Sequence, residues 1–344
     1  TGVINVISGV APPATAPTAG TSKITLSGGS SLTTGNGTIT LHSLDAISLG
    51  GTLSTSGAAV VTSDNGAIDN GGSAGTRISA LTASLTAGGD IGSLAAPVGT
   101  NTSQLTALKA ANGGNSFIDN SGSVTLTSVN SGVAIPGSVN VTSDNGSITL
   151  ETVKANSVTL TASNGAVDDD GAGTGMAATH LTVTSGAEIG TLANPIRTTQ
   201  LSTLQGTSGG SGIFLTNTDT IPGSTLTLGG ITANGAGNDI TISNAGYAIV
   251  NSGLLTKGGA LTLTGSAIGD QFSPLATQVS SLNATASNGG VFDHNLGSLT
   301  VTKAHATGVF DDIIITAVAT TTPASAGNIL VKDINTPGNV TLTA

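Results

Sequence analysis

Apolar and polar side chains alternate in short runs along almost the whole chain. Ile24-Thr25-Leu26-Ser27, Ile39-Thr40-Leu41 and Ile47-Ser48-Leu49 open the series. Val124-Thr125-Leu126-Thr127, Val139-Asn140-Val141-Thr142, Val158-Thr159-Leu160-Thr161 and Leu181-Thr182-Val183-Thr184 continue it, and Leu261-Thr262-Leu263-Thr264, Leu299-Thr300-Val301-Thr302 and Val340-Thr341-Leu342-Thr343 carry it to the end. A period of two puts the aliphatics on one face of a strand and the hydroxyls on the other. The runs are punctuated by Gly and Asn, which suit corners where positive φ or a sharp bend is needed. No stretch has a 3.6-residue period with caps, so essentially no long helix is expected. Residues 1–22, with Pro12, Pro13 and Pro17 among small residues, read as an irregular lead-in.

Superimposed on the alternation is a cassette that occurs three times: an Ile-Gly pair, a proline five residues after the Gly, and later Phe-x-x-Asn. The copies are Ile91-Gly92, Pro97, Phe117 and Asn120; Ile189-Gly190, Pro195, Phe214 and Asn217; and Ile268-Gly269, Pro274, Phe292 and Asn295. Related segments precede each copy: Ser63-Asp64-Asn65-Gly66, Ser163-Asn164-Gly165 and Ser243-Asn244-Ala245-Gly246. The cassette proline recurs after 98 residues and then after 79, and the phenylalanine after 97 and then 78, so each interval differs by 19. Val139 and Val158, also 19 apart, begin equivalent runs. Gain or loss of a whole unit without disturbing its flanks is what a solenoid tolerates, because each coil contacts only its neighbours.

The chain is therefore expected to be all-β, a right-handed parallel β-helix of roughly 19 residues per coil, which would give roughly 18 coils. Its parts would be an N-terminal lead-in with partial coils (1–56) and three modules, 57–156, 157–237 and 238–344, in one continuous solenoid. In each cassette Ile would point inward, Gly would form the corner, and proline would stiffen an excursion from the coil. Phe, the largest side chain available, would widen or plug the core, while Asn would ladder or satisfy corner backbone groups. These fifteen residues are structural landmarks in this reading, not ligand contacts.

Composition narrows the function. Charged residues are 8% and aromatics 2% of 344 residues, and the net charge of −10 includes only eight Lys plus Arg. Without a basic patch, nucleic-acid binding is excluded. There is no Cys, so neither disulfides nor thiolate metal sites contribute. No apolar run approaches the length of a membrane span, and the chain begins with mature-type sequence, as expected of a mature product or a piece of a longer protein.

Candidate chemistry is sparse. Asp168-Asp169-Asp170 has the carboxylates for a Ca2+ site, but the matching segments are Ile68-Asp69-Asn70 and Ile249-Val250-Asn251, so a solvated loop is preferred. Gly235-Ala236-Gly237-Asn238-Asp239 is a single copy of a Gly-rich pattern that binds Ca2+ only in tandem. A polysaccharide-cleaving β-helix would need carboxylates paired with each other or with Arg or Lys. Arg77 and Arg197 are the only arginines, and His42, His180, His294 and His305 share no recurring partner in sequence. Asp293-His294 is the one position for a single-copy catalytic pair. Ranked Thr residues suggest an ice-binding face, but Thr is also a good outward strand residue. No enzyme activity and no cofactor is expected.

The strings Gly89-Asp90-Ile91-Gly92-Ser93-Leu94-Ala95-Ala96-Pro97-Val98 and Glu188-Ile189-Gly190-Thr191-Leu192-Ala193-Asn194-Pro195-Ile196 resemble the repeat region of filamentous-haemagglutinin-type bacterial exoproteins. The resemblance spans most of residues 23–344. It implies a parallel β-helix serving as the rod of a secreted or surface-exposed adhesin or extracellular filament. Its expected partners are a host or neighbouring-cell surface, or further copies stacked end to end. The Asn-Pro-Asn-Gly-Ile type motif of that family's secretion domain does not occur, as expected of an internal segment. The alternative is a β-helical carbohydrate-active enzyme or carbohydrate-binding module.

Overall fold

The structure, a computed structural model, describes residues 2–8, 22–72, 75–109, 114–130, 137–219, 224–235, 238–309, 311–321, 324–325 and 327–344. No helix occurs among them. Short parallel strands stack in about 13 coils, and the fold is a β-solenoid. The chain divides into two compact units, Thr1–Ala178 and Thr179–Ala344.

In the first unit one parallel ladder runs through Ile4–Ser8, Ile39–Ser43, Ala58–Ser63, Thr82–Ala87, Gln104–Lys109 and Val124–Asn130. It continues as two short strands per coil, Ile148–Leu150 with Thr152–Lys154, then Val167–Asp169 with Gly175–Ala177. A second ladder runs from Ser31–Thr33 through Thr52–Ser54, Ile78–Ser79, Val98–Asn101, Ser116–Asn120 and Ser138–Ser143 to Ser157–Ala162. A third, shorter one joins Ile24–Leu26, Ile47–Leu49 and Ile68–Asp69.

The second unit has two principal ladders. One passes through Ile196–Thr199, Gly212–Asn217, Asp239–Asn244, Ala260–Gly265, Ser281–Ala286 and Leu299–Ala306. The other passes through His180–Ser185, Thr203–Ser208, Thr225–Ala233, Thr256–Lys257, Leu275–Gln278, Val291–Leu296, Ile313–Val318 and Val340–Thr343.

The alternation that defines the strands also fills the core. Ile39, Ala59, Ala83, Leu105, Leu126 and Leu150 stack in register, all buried, each on the next coil. Enclosing one such Leu or Ile contributes about 1.5–3 kcal/mol, so stability is spread evenly along the stack.

Three expectations need correction. Ile4–Ser8 is no irregular lead-in: it alternates Ile-Asn-Val-Ile-Ser and pairs in register with Ile39–Ser43. Pro12, Pro13 and Pro17 lie outside the described residues. Secondly, Val139 does face Val158 on the next coil, so the 19-residue unit is one coil. Other coils are longer, with steps of 20 residues from Ile39 to Ala59, 24 from Ala58 to Thr82 and 23 from Ile118 to Val141. Corners and loops add these residues, which is why there are about 13 coils and not 18.

Thirdly, not every hydroxyl faces water. Strand-end serines turn inward to occupy corner carbonyls: Ser43 donates to Ser22 at 2.6 Å, Ser63 to Asp45 at 2.7 Å and Ser208 to Ala187 at 2.6 Å. Buried backbone acceptors at a bend need such partners.

Candidate functional site

The cassettes fold alike. Ile91, Ile189 and Ile268 are fully buried, and Gly92, Gly190 and Gly269 have φ of 67°, 60° and 69°. The left-handed conformation is costly for any residue with a Cβ. Space is equally restrictive, because a Cβ on these glycines would lie 2.5, 2.6 and 2.3 Å from the carbonyl oxygen of Phe117, Phe214 and Phe292. The Phe-bearing strand lies directly over the corner, and its Phe N–H donates to the Ile carbonyl at 2.7, 2.8 and 2.8 Å.

Between Gly and Pro the chain makes a tight excursion. Ser93 and Ala96 exchange backbone hydrogen bonds, as do Asp270 and Ser273, and Thr191 donates to Asn194. Each excursion exposes a large apolar side chain: Leu94 (74%), Leu192 (74%) and Phe272 (92%). Leu94, Pro97 and Phe117 border a small cavity of about 110 Å³ with Ile118, Asn140 and Thr142.

Phe117, Phe214 and Phe292 are not core residues. They are half-buried on the outer face, whereas Ile118, Leu215 and Asp293 beside them point inward. The rings of Phe214 and Phe292 lie across the glycines two residues earlier: a Cβ on Gly212 or Gly290 would come within 2.9 or 2.4 Å of the ring.

Asn120, Asn217 and Asn295 are buried and face in. Asn120 Oδ1 accepts from the Thr100 hydroxyl at 2.8 Å and the Thr102 N–H at 3.0 Å, while its amide donates to the Gly122 carbonyl at 2.6 Å. Asn217 Oδ1 accepts from Thr198 at 2.9 Å and Leu201 N–H at 3.1 Å. Asn295 Oδ1 accepts from Thr277 at 3.0 Å and Val279 N–H at 2.9 Å, and its amide donates to Gly297 at 3.1 Å. Thr100, Thr198 and Thr277 each stand three residues after the cassette proline. In the sequence alone this recurrence is hidden, because Thr is common everywhere in the chain.

A further bond reaches the coil before. Asn70 donates to the Pro97 carbonyl at 3.1 Å and Asn251 to that of Pro274 at 3.0 Å. The first and third cassettes thus tie three successive coils. In the second, Asn217 donates onward to Asn244 Oδ1 at 2.9 Å, so that one also reaches across three.

The acidic and basic candidates are dispersed. Strand alternation splits Asp168-Asp169-Asp170: Asp169 is buried, Asp170 exposed, and Asp168 half-buried on the opposite face from Asp169. Asp169 Oδ1 accepts from Gly171 N–H at 2.8 Å and Asp170 Oδ1 from Ala172 N–H at 2.9 Å, so both brace the turn. Among the described residues no group of three or more His, Cys, Asp or Glu is placed to hold a metal ion. The stretch Gly235–Asp239 includes residues 236–237, which are outside the described set.

Asp293 and His294, adjacent on one strand, point to opposite faces and form no catalytic pair. Two other histidines do have carboxylate partners. His42 Nε2 lies 3.0 Å from Asp64 Oδ1, and His305 Nε2 lies 2.7 Å from Asp333 Oδ2, each pair linking neighbouring coils at the surface. Arg77 donates to the Gly50 carbonyl at 3.2 Å, a contact between coils. Asp119, outward on its strand, has its pKa raised by burial and then by the charge of Asp144.

An open cleft of about 590 Å³ lies in the second unit between Asp219, Ser224, Tyr247, Ser266 and Asn288. It is open to solvent and holds the only tyrosine of the chain.

These features define a β-solenoid protein whose repeated signature is absorbed in its own hydrogen bonding. No protein-family model, curated protein or solved structure matches the chain.

Proposed function

We propose that this chain is the structural rod of a secreted or surface-exposed bacterial adhesin or extracellular filament, of the filamentous-haemagglutinin type that its repeats resemble. The observation that carries the proposal is the fate of the cassette. Its Ile, Thr and Asn are used in coil-to-coil bonding in all three copies. A chain whose most specific pattern serves stacking is built to extend. The outward face, mostly Thr, Ser and Asn, offers polar surface to water, and the exposed Leu94, Leu192 and Phe272 are repeated apolar points for contact with another surface or another copy.

Immunogold electron microscopy of producing cells tests the reading. Label on narrow fibres at or beyond the cell surface is expected, together with weaker attachment of cells lacking the protein. Label confined to the cell interior overturns it.

The cleft at Tyr247 favours a second reading, a carbohydrate-binding module, since an aromatic face beside Asp219 and Asn288 suits a sugar ring. Retention on immobilised polysaccharide that is lost in Tyr247→Ala supports that reading, and equal elution of both proteins removes it.

A further inference from the structure

Asp293 occupies the interior position that Ile118 and Leu215 fill in the other cassettes, and it is 2% exposed. Its register neighbours on the adjacent coils are Leu275 and Ile315. One carboxyl oxygen, Oδ2, is buried without a hydrogen-bond partner. The other, Oδ1, lies 2.8 Å from the Thr277 hydroxyl.

Counting protons makes this contact informative. Thr277 Oγ1 is within bonding distance of both Asp293 Oδ1 and Asn295 Oδ1, at 2.8 and 3.0 Å. A hydroxyl has one proton to donate. Asn295 Oδ1 is an acceptor only, since the amide nitrogen of Asn295 is turned to Gly297. In the other cassettes the equivalent hydroxyls of Thr100 and Thr198 donate to their Asn at 2.8 and 2.9 Å. If Thr277 keeps that bond, the contact with Asp293 is filled only by a proton on Asp293.

Among the described residues no charged side chain points inward from the elements packed against Asp293. His294 on the same strand, Asp270 ahead of Leu275–Gln278, Lys303 and His305 on Leu299–Ala306, and Asp311 and Asp312 ahead of Ile313–Val318 all lie at outward or corner positions. The inward residues of Ser281–Ala286 are Leu282, Ala284 and Ala286.

We infer that Asp293 is kept as a neutral carboxylic acid, donating from Oδ1 to Thr277, and that its ionisation is a pH-sensitive release of the third cassette. Burial pushes its pKa from 3.8 up to about 7, against the opposing effect of the Thr277 bond. On losing the proton, Asp293 claims the Thr277 hydroxyl and Asn295 loses it. The bond from Val279 N–H to Asn295 then stands without its companion.

The sign follows from linkage. The folded value is above the unfolded one, so the stabilising contribution is complete below pH about 4, declines as pH rises to about 7, and is constant beyond. Over that window the local unfolding constant rises close to tenfold per pH unit, about a thousandfold in all.

The test is a carboxyl 13C NMR titration of the full chain, with amide hydrogen exchange at Val279 and its neighbours at pH 5 and pH 8. A midpoint near 7 for Asp293 is expected, with faster opening of these amides at pH 8 after correction for intrinsic exchange. Asp293→Asn, which supplies an amide proton to Thr277 at every pH, removes the difference; Asp293→Leu, which copies the second cassette, removes it too. A midpoint near 4, or an undiminished pH effect in Asp293→Asn, overturns the inference. Should either variant not fold, the wild-type titration decides alone.

Discussion

Replacing Asn120 by alanine tests whether the cassette is an internal brace. The change removes one acceptor and one donor at a buried site, where Thr100 is 0% and Thr102 3% exposed. The Thr102 N–H, fixed by the backbone, is left without an acceptor, and a buried group so stranded costs about 1–3 kcal/mol. The Thr100 hydroxyl loses its acceptor and must re-aim, adding roughly 1 kcal/mol. The Gly122 carbonyl keeps its second bond, from the Ser143 hydroxyl at 2.8 Å, and is not stranded. The expected loss is therefore about 2–4 kcal/mol. Equilibrium urea unfolding at constant m-value measures it, with the exposed Asn145→Ala as a control expected within about 0.5 kcal/mol of wild type. Asn120→Asp adds a second arm. As an acid it still donates to Gly122, but as an anion it opposes an oxygen to that carbonyl, so its deficit grows as pH rises. A loss in Asn120→Ala no larger than the control, or a pH-independent Asn120→Asp, refutes the internal brace.

Other outcomes follow from the same geometry. Gly92→Ala combines left-handed strain with a Cβ 2.5 Å from the Phe117 carbonyl and should cost more than about 2 kcal/mol, whereas Gly29→Ala, with φ of 82° but open space, should cost only the strain, about 1–2 kcal/mol; equal losses in urea would show that the next coil exerts no pressure there. Phe214→Ala, at a half-buried outer position, should lose about 1–2 kcal/mol, below the roughly 3–5 kcal/mol of a core phenylalanine, as read from the denaturation midpoint. Deleting residues 139–157 removes one coil and leaves Ile118 in register with Leu160, since both now pair with Val141. Circular dichroism should show a folded β protein with cooperative melting, and a random-coil spectrum would contradict independent stacking of coils.

Much of this architecture is written in the alternation itself. Period two places Ile39, Leu41 and their successors inside, and the 19-residue difference between the two cassette intervals corresponds to the step from Val139 to Val158. The inward Ile and the left-handed Gly of each cassette are likewise legible, since a corner beside a core residue calls for them. The outward Phe was legible too, though not from its size. Phe and Asn in Phe-x-x-Asn are three residues apart, an odd number, so a strand cannot turn both inward, and the buried Asn sends the Phe out. Side-chain volume suggested the reverse because a large apolar residue is normally enclosed; in the second and third cassettes the glycine two positions earlier gives the ring a surface to lie on. The same parity separates Asp293 from His294. Coil length could not be read from the repeat alone, because loops between strands vary without altering the register of the ladders. The Asn70 to Pro97 bond joins positions 27 residues apart and has no local signature.

The reach of each cassette across three coils bears on how such a stack comes apart. A solenoid opens from an end, one coil after another, because each coil is held only by its neighbours. Where one Asn amide holds the cassette from below and another Asn holds it from above, a coil cannot leave without breaking bonds that belong to two more. Fraying that has run freely through plain coils should pause there. Spaced along the chain, the cassettes act as stops on a zip, dividing the stack of coils into lengths that fail separately under heat or pull.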